Sequence, residues 1–276
     1  MYKKSLSYPH LLWMTLFVVV PIVLVLVYSF TAVNLDGSSN FSLQHYVNFF
    51  DAKYMEIFLD SMIIALMSSV GCIVLGYPLA MILANRDRER IIAGKKPGGM
   101  LMLFVMPMWM NMMLRTYSWL TILEKNGLLN SLLKKLSLPE VNILYTRGAV
   151  VLGMIYDFLP FMIMPIYSVL IKIDDSVLEA ASDLGANNTK RFLKVIFPMS
   201  VPGVVSGFTM VFLPAITTFY ISNIFGGGKI MLIGNVIEQQ FLVANNWNFG
   251  SAMSIVMMIL IFISMKIVNI FENNSR

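Results

Sequence analysis

Apolar and polar positions fall in long blocks along this chain rather than in short periods. Six blocks carry few charges: Leu11–Phe30, Phe58–Ala84, Met100–Leu123, Gly148–Ile171, Met199–Asn223 and Gly250–Phe271. A helix needs about 20 mostly apolar residues to cross the hydrocarbon core of a bilayer. Each block therefore predicts one span, and the six predict a single bundle. Lys3 and Lys4 precede the first block. Its apolar run exceeds an ordinary signal-peptide core and no clear small-x-small site follows, so it reads as a retained helix. Pro21 predicts a kink there. Pro107, Asn111 and Arg115 interrupt the third block, and Asp157, Pro160 and Pro165 fall in the fourth. Pro202 and Pro214 fall in the fifth.

One polar stretch stands apart. Residues 172–198 hold an island whose core is Leu178–Pro198, LEAASDLGANNTKRFLKVIFP. Acidic residues come first (Asp174, Asp175, Glu179, Asp183) and basic ones later (Lys190, Arg191, Lys194). Asp183 to Thr189 reads as a helix end, a turn at Gly185, and a restart capped by Asn187 or Asn188. Thr189–Phe197 predicts a second, basic amphipathic helix, with Pro198 at its junction with the fifth span. A short helix braced across the ends of two spans is a lever.

Composition agrees with the blocks. The chain is 58% apolar and 13% charged, with mean hydropathy +0.75, against about 45–50% and about 25% in a soluble domain. The 23 Met residues are scattered and suit apolar packing. Cys72 is the single cysteine, so no internal disulfide is possible. The net charge of +5 is not a nucleic-acid footprint, because in such a chain Lys and Arg report orientation first. With the amino terminus inside, thirteen basic residues lie on inner segments: Lys3, Lys4, Arg86, Arg88, Arg90, Lys95, Lys96, Lys172, Lys190, Arg191, Lys194, Lys266 and Arg276. Six lie on outer ones: Lys53, Lys125, Lys134, Lys135, Arg147 and Lys229. That bias predicts both termini, and the island, in the cytoplasm.

Catalytic chemistry is not indicated. The two histidines, His10 and His45, belong to no metal-ligand spacing. Gly226–Lys229 lacks the spacing of a phosphate-binding loop, since Ile230 follows the lysine, and reads as a flexible turn. Three charges lie within or at the ends of apolar spans, Asp60, Arg115 and Asp157. Such charges usually face a cavity or a partner. Asp60 sits near an outer end and reaches water, or serves as a weaker binding group. Arg115 and Asp157 offer two readings: an ion pair holding the bundle, or a carboxylate open to a cationic ligand, with Tyr117, Trp119, Tyr156, Tyr220 and Trp109 as aromatic neighbours. Glu238 is a weaker acidic candidate in an outer segment.

The island resembles the EAA loop of the permease subunits of ATP-binding-cassette importers. That pattern is E-A-A, three residues, G, nine residues, then I-x-L-P. Here Glu179-Ala180-Ala181 and Gly185 match, and Val195-Ile196-Phe197-Pro198 departs only by apolar exchange. LRTYSWLTILEKNGLLN (114–130), YDFLPFMIMPIYSVL (156–170) and GGGKIMLIGNVIEQQFL (226–242) extend the resemblance to spermidine/putrescine importer permeases of the PotB type. The resemblance implies an all-α, six-span type I importer permease in a bacterial inner membrane. Residues 1–57 would form the first span and first outer loop, and 58–271 the permease core. It implies no cofactor and three partners: a second permease of the PotC type, a cytoplasmic ATPase dimer, and an extracytoplasmic polyamine-binding protein. Glu179, Ala180, Ala181 and Gly185 would meet the ATPase, which explains the missing phosphate-binding loop. Asp157, Tyr156, Trp119, Tyr117, Asp60 and Glu238 are candidates for a polycation path, because carboxylates match ammonium groups and aromatic faces cover methylenes. Sulfate, thiamine or a metal ion is the alternative cargo within the same architecture. An anion path calls for more basic residues than Arg115 alone.

Overall fold

The computed structural model describes residues 7–33 and 39–274. Lys3, Lys4, the Asp36-Gly37-Ser38 part of the first outer loop and Arg276 lie outside the described residues. In chain order the elements are α1 (Tyr8–Ser29), β1 (Thr31–Val33), β2 (Ser39–Phe41), α2 (Gln44–Phe49), α3 (Ala52–Ile92), α4 (Met100–Val105) and α5 (Met112–Leu123). There follow α6 (Leu128–Lys135), α7 (Arg147–Leu170), α8 (Asp175–Asp183), α9 (Asn188–Thr217), α10 (Tyr220–Gly226), α11 (Ile233–Leu242) and α12 (Trp247–Asn274).

Among the described residues, five helices are long and apolar enough to cross a membrane: α1, α3, α7, α9 and the Trp247–Lys266 part of α12. The third expected span is not one helix. α4 tightens into a 3₁₀ turn at Met106–Trp109, and Met110 is extended. Asn111 then starts α5 by accepting from the N–H groups of Met113 and Leu114. Proline supplies no N–H to the turn before it, and an asparagine side chain offers the next turn a better cap than continued helix does. The interruption at Pro107 and Asn111 is therefore a break.

Two other prolines act more gently. α1 opens into a π turn at Thr15–Val19, just before Pro21. α9 does the same at Phe192–Ile196, just before Pro198. In each case a wider turn makes room where the proline ring would meet the carbonyl four residues back. The expected separate helix Thr189–Phe197 is thus corrected. Pro198 marks no junction, and the helix from Asn188 to Thr217 is continuous.

The chain forms two compact units. One comprises Met1–Leu59 with Ile233–Ser264. In it, β1 and β2 pair antiparallel, Thr31 opposite Phe41. Phe30 stacks on Phe41 at 5.6 Å between ring centroids, and Tyr46 donates to Ser29 Oγ at 2.8 Å. Asn248 of α12 ties this corner by donating to the Thr31 carbonyl at 2.6 Å. None of α1 is buried over its apolar window. A helix apolar on every side with no core to cover it is built for lipid or for a second subunit.

The other unit comprises Asp60–Leu232 with Met265–Arg276. Its centre is α7, which buries Val150, Met154, Asp157, Phe158, Met162, Ile163, Ile166 and Leu170. Within this unit α3 buries a stripe of mostly small residues at helical spacing: Ala65, Ser69, Cys72, Gly76 and Ala80. Small side chains let helices approach closely, which supplies packing where lipid removes the hydrophobic drive between helices. α9 does the same through Gly203 and Gly207, four residues apart. A Cβ on Gly203 would lie 3.0 Å from the Pro165 carbonyl oxygen, and one on Gly207 would lie 2.8 Å from Met162 Sδ. Gly203→Val is expected to destabilise the bundle by about 1–3 kcal/mol through overpacking against α7 backbone, read as a lowered unfolding midpoint in detergent.

Candidate functional site

Two constellations gather the residues that the sequence singled out. The first is buried in the larger unit. Asp157 lies on α7 and Arg115 on α5, one turn into the helix that Asn111 starts. Their charged atoms, Arg115 Nη2 and Asp157 Oδ1, are 2.7 Å apart, with side chains 6% and 2% exposed. The Tyr220 hydroxyl of α10 donates to Asp157 Oδ2 at 3.2 Å. Arg115 Nη1 donates to the Pro107 carbonyl at 3.1 Å, an oxygen at the break in the third span that also accepts from the Met110 N–H. The guanidinium lies 5.5 Å from the Tyr156 ring centroid, and Trp119 packs on that ring at 4.9 Å. Arg115 Nε is buried with no hydrogen-bond partner. Arg115 and Trp119, four residues apart on α5, share one face.

This geometry combines the two readings of Asp157. The ion pair exists, and aromatic rings stand beside it. A buried carboxylate without a counter-charge would be costly, and Arg115 supplies that counter-charge to Asp157. Tyr117 faces away and is 52% exposed, as is Trp109 at 79%. Asp60 joins Arg147 at 2.6 Å in a partly exposed pair at the far end of α7. Glu238 is half-buried on α11, in the other unit. Among the described residues, no group of three His, Cys, Asp or Glu side chains is placed to hold a metal ion.

The second constellation is the polar island. Asp174 caps α8, accepting from the Ser176 N–H at 3.1 Å. That bond holds the Asp174 carboxyl below the usual carboxylate range. α8 ends in a Schellman turn. The Gly185 N–H bonds to the Ser182 carbonyl and the Ala186 N–H to the Ala181 carbonyl, at 2.9 and 3.0 Å. Gly185 has φ +79°, a conformation that glycine adopts at little cost. Asn187 restarts the chain as α9 by accepting from the Lys190 N–H at 2.8 Å. The turn and the asparagine cap are where sequence spacing placed them. α8 buries none of its residues. Glu179, Ala180 and Gly185 are exposed, Ala181 is half-buried, and Leu184 is 89% exposed.

Sequence reasoning missed the pair Asp87 and Arg88 near the Ile92 end of α3. Asp87 accepts from the Gly98 N–H at 2.6 Å and from the Tyr167 hydroxyl at 2.7 Å. Arg88 donates to the Leu170 carbonyl at 2.6 Å and pairs with Asp175 at 3.3 Å. Counted only as one basic residue among thirteen, Arg88 showed no sequence signal of its partner 87 positions away.

Comparison with known proteins places this geometry. Residues 58–276 match the family of binding-protein-dependent transport system inner membrane components. The chain is 38% identical over 261 residues to the spermidine/putrescine transport system permease protein PotB of Haemophilus influenzae, covering 91% of this chain and 88% of that protein. It is 39% identical over 253 residues to PotB of Escherichia coli K12, covering 90% and 89%. Among solved structures, a bacterial ABC transporter involved in importing the acidic polysaccharide alginate superimposes with TM-score 0.76 at 15% identity, covering 99% of this chain and 95% of that one. The MetNI methionine ABC transporter in an inward-facing form gives TM-score 0.59 at 15% identity, covering 80% and 95%. These likenesses establish a type I ABC importer permease fold, in a multi-pass membrane protein.

Proposed function

We propose, since this chain belongs to the binding-protein-dependent transport inner membrane components, that it is the permease subunit of an ABC importer carrying spermidine and putrescine inward. The observation that supports the cargo is the 38–39% identity to PotB proteins along nine-tenths of the chain. The chain does no bond chemistry in this reading. A separate cytoplasmic ATPase dimer hydrolyses ATP, a PotC-type permease completes the pathway, and an extracytoplasmic binding protein delivers the polyamine. Both termini lie in the cytoplasm. ATP binding closes the ATPase dimer, which moves the island and switches the bundle between inward-open and outward-open states. Glu179, Ala180, Ala181 and Gly185 form the docking surface, with the exposed Leu184 at its centre. Residues 58–271 act as the permease core, preceded by the span and outer loop of residues 1–57.

The path runs past Asp157, Tyr156 and Trp119. Asp157 already holds one positive charge, that of Arg115, so a substrate ammonium enters by charge exchange rather than by filling an empty anionic site. Tyr156 then serves either cation through its ring face. Asp60, held by Arg147, contributes more weakly.

Uptake of radiolabelled spermidine tests the cargo, in cells lacking other polyamine import and expressing the chain with its partners. Unlabelled putrescine at tenfold excess is expected to suppress uptake about tenfold by simple competition, and sulfate to leave it unchanged. Uptake suppressed by sulfate instead, or absent altogether, would remove the polyamine reading and leave the importer architecture.

A further inference from the structure

We infer that Arg88 and Asp175 form the clasp through which movement of the island reaches the spans. The inference rests on the proposed docking of the island on an ATPase and deepens it.

α8 needs such a tie. None of its residues is fully buried, and only Leu178 and Ala181 among its apolar side chains are half-buried, so apolar packing fastens it weakly. Among the described residues, its polar ties to other helices are two side-chain contacts, beside the turns of chain that flank it. At its carboxyl end, Arg191 Nη1 donates to Ser182 Oγ at 3.4 Å, a weak and exposed bond to the neighbouring start of α9. At its amino end, Arg88 Nε lies 3.3 Å from Asp175 Oδ1. The Arg88 side chain is only 14% exposed, and its Nη2 donates to the carbonyl of Leu170, the last residue of α7, at 2.6 Å. That carbonyl belongs to the helix end that lacks an intrahelical partner. One guanidinium therefore joins three helices: α3, which carries it, the end of α7, and the first turn of α8. Arg88 Nε makes no hydrogen bond, so the Asp175 contact is an ion pair, and the directional bond of the guanidinium is the one to Leu170.

Next to it, Asp87 ties the same stretch of α3 to Tyr167 of α7 and to Gly98. The anchoring end of the clasp is thus immobile relative to α7, and a push on α8 is delivered to α3 and α7 together. α3 has 41 residues, about 60 Å at helical rise, so this end stands well beyond a hydrocarbon core about 30 Å thick. The neighbouring arginines provide internal controls. Arg86 reaches Met100 Sδ and Arg90 reaches the Lys96 carbonyl, so neither touches α8 through these bonds. All three contribute equally to the orienting excess of positive charge.

The test is uptake of radiolabelled spermidine per ATP hydrolysed, measured on the complete transporter in proteoliposomes. Arg88→Gln is expected to lower that ratio about tenfold, the scale of one lost charged hydrogen bond, while ATP hydrolysis continues. Asp175→Asn should lower it less, because the Leu170 bond remains. The double variant should be no worse than Arg88→Gln alone, since Arg88→Gln already removes the contact that Asp175→Asn removes. Arg88→Lys should recover part of the ratio, and Arg86→Gln should leave it at the wild-type value. An unchanged ratio in Asp175→Asn, whose side chain is 40% exposed and which therefore folds, overturns the clasp even where Arg88→Gln fails to assemble. Additive losses in the double variant also overturn it. Gly185→Asp in the same assay separates the two levels of the reading. If it too leaves the ratio unchanged, docking at the island is wrong; if it abolishes uptake while the Arg88 and Asp175 variants do not, only the clasp is wrong.

Discussion

A Gly185→Asp variant is expected to lose transport about a hundredfold while reaching its normal level in the membrane, the scale of an unpaired charge forced into a buried contact. Two costs act at this position and they are separable. Within the chain, φ of +79° penalises any residue with a Cβ by about 1–2 kcal/mol. Nothing lies within 4 Å of a Cβ built there, so no steric term adds to it. That cost alone frays one turn of an exposed helix and leaves the bundle intact. Asparagine tolerates the left-handed conformation best, so Gly185→Asn should fold nearly as the native chain does and transport within a few-fold of it. Gly185→Ala should fall between. The aspartate differs from asparagine chiefly by its charge, and that difference matters only if another protein covers the turn. Co-purification of the ATPase is the direct measurement: it should be lost with Gly185→Asp and kept with Gly185→Asn. Equal transport by the two variants would show that the turn is not a docking surface.

The island was legible because its information is local. A Schellman turn needs glycine at one position, an N-cap needs asparagine two residues later, and both signals lie within nine residues of each other. Five of the six apolar blocks were legible as spans for a similar reason, since bilayer thickness sets a minimum length and not a partner. The break in the third block was visible as Pro107 and Asn111 but was read as an irregular span, because hydropathy over a long window averages a short polar cap away. What escaped was contact at long sequence separation. Gly203 and Gly207 meet α7 backbone, yet a pair of glycines four apart in an apolar run looks like composition until its neighbour is known. Arg88 looked like any orienting charge, and only the fold brings Asp175 and Leu170 to it. For Asp157 the pairing with Arg115 was one of two readings, but neither the donation by Tyr220 nor the Pro107 carbonyl that holds Arg115 was visible.

Arg115→Met is expected to destabilise the bundle by about 3–5 kcal/mol, because it strands Asp157 in a buried site without its counter-charge. Asp157→Asn should cost a similar amount from the other side. Arg115 would keep the Pro107 carbonyl and the Tyr156 ring but lose the only carboxylate it pairs with among the described residues. Loss of transport in either single variant therefore says little about a path, since the fold itself is weakened. The informative variant is the double, Arg115→Met with Asp157→Asn. It leaves no unpaired charge, keeps an acceptor for the Tyr220 hydroxyl, and fills the guanidinium's space with an unbranched side chain that adapts to irregular gaps. Its stability in detergent should return to within about 1 kcal/mol of the native complex, read from the unfolding midpoint, as buried ion pairs replaced whole by apolar side chains often do. Uptake then separates the roles. If the pair only holds helices together, spermidine uptake returns with stability. If Asp157 is the station at which a substrate ammonium displaces Arg115, stability returns and uptake does not. The second outcome is the expected one: Tyr156 and Trp119 line the guanidinium side of the pair, where a cation is already stabilised by a ring face and a carboxylate together. A path through this pair would admit a solute only if the solute brought its own positive charge to replace that of Arg115.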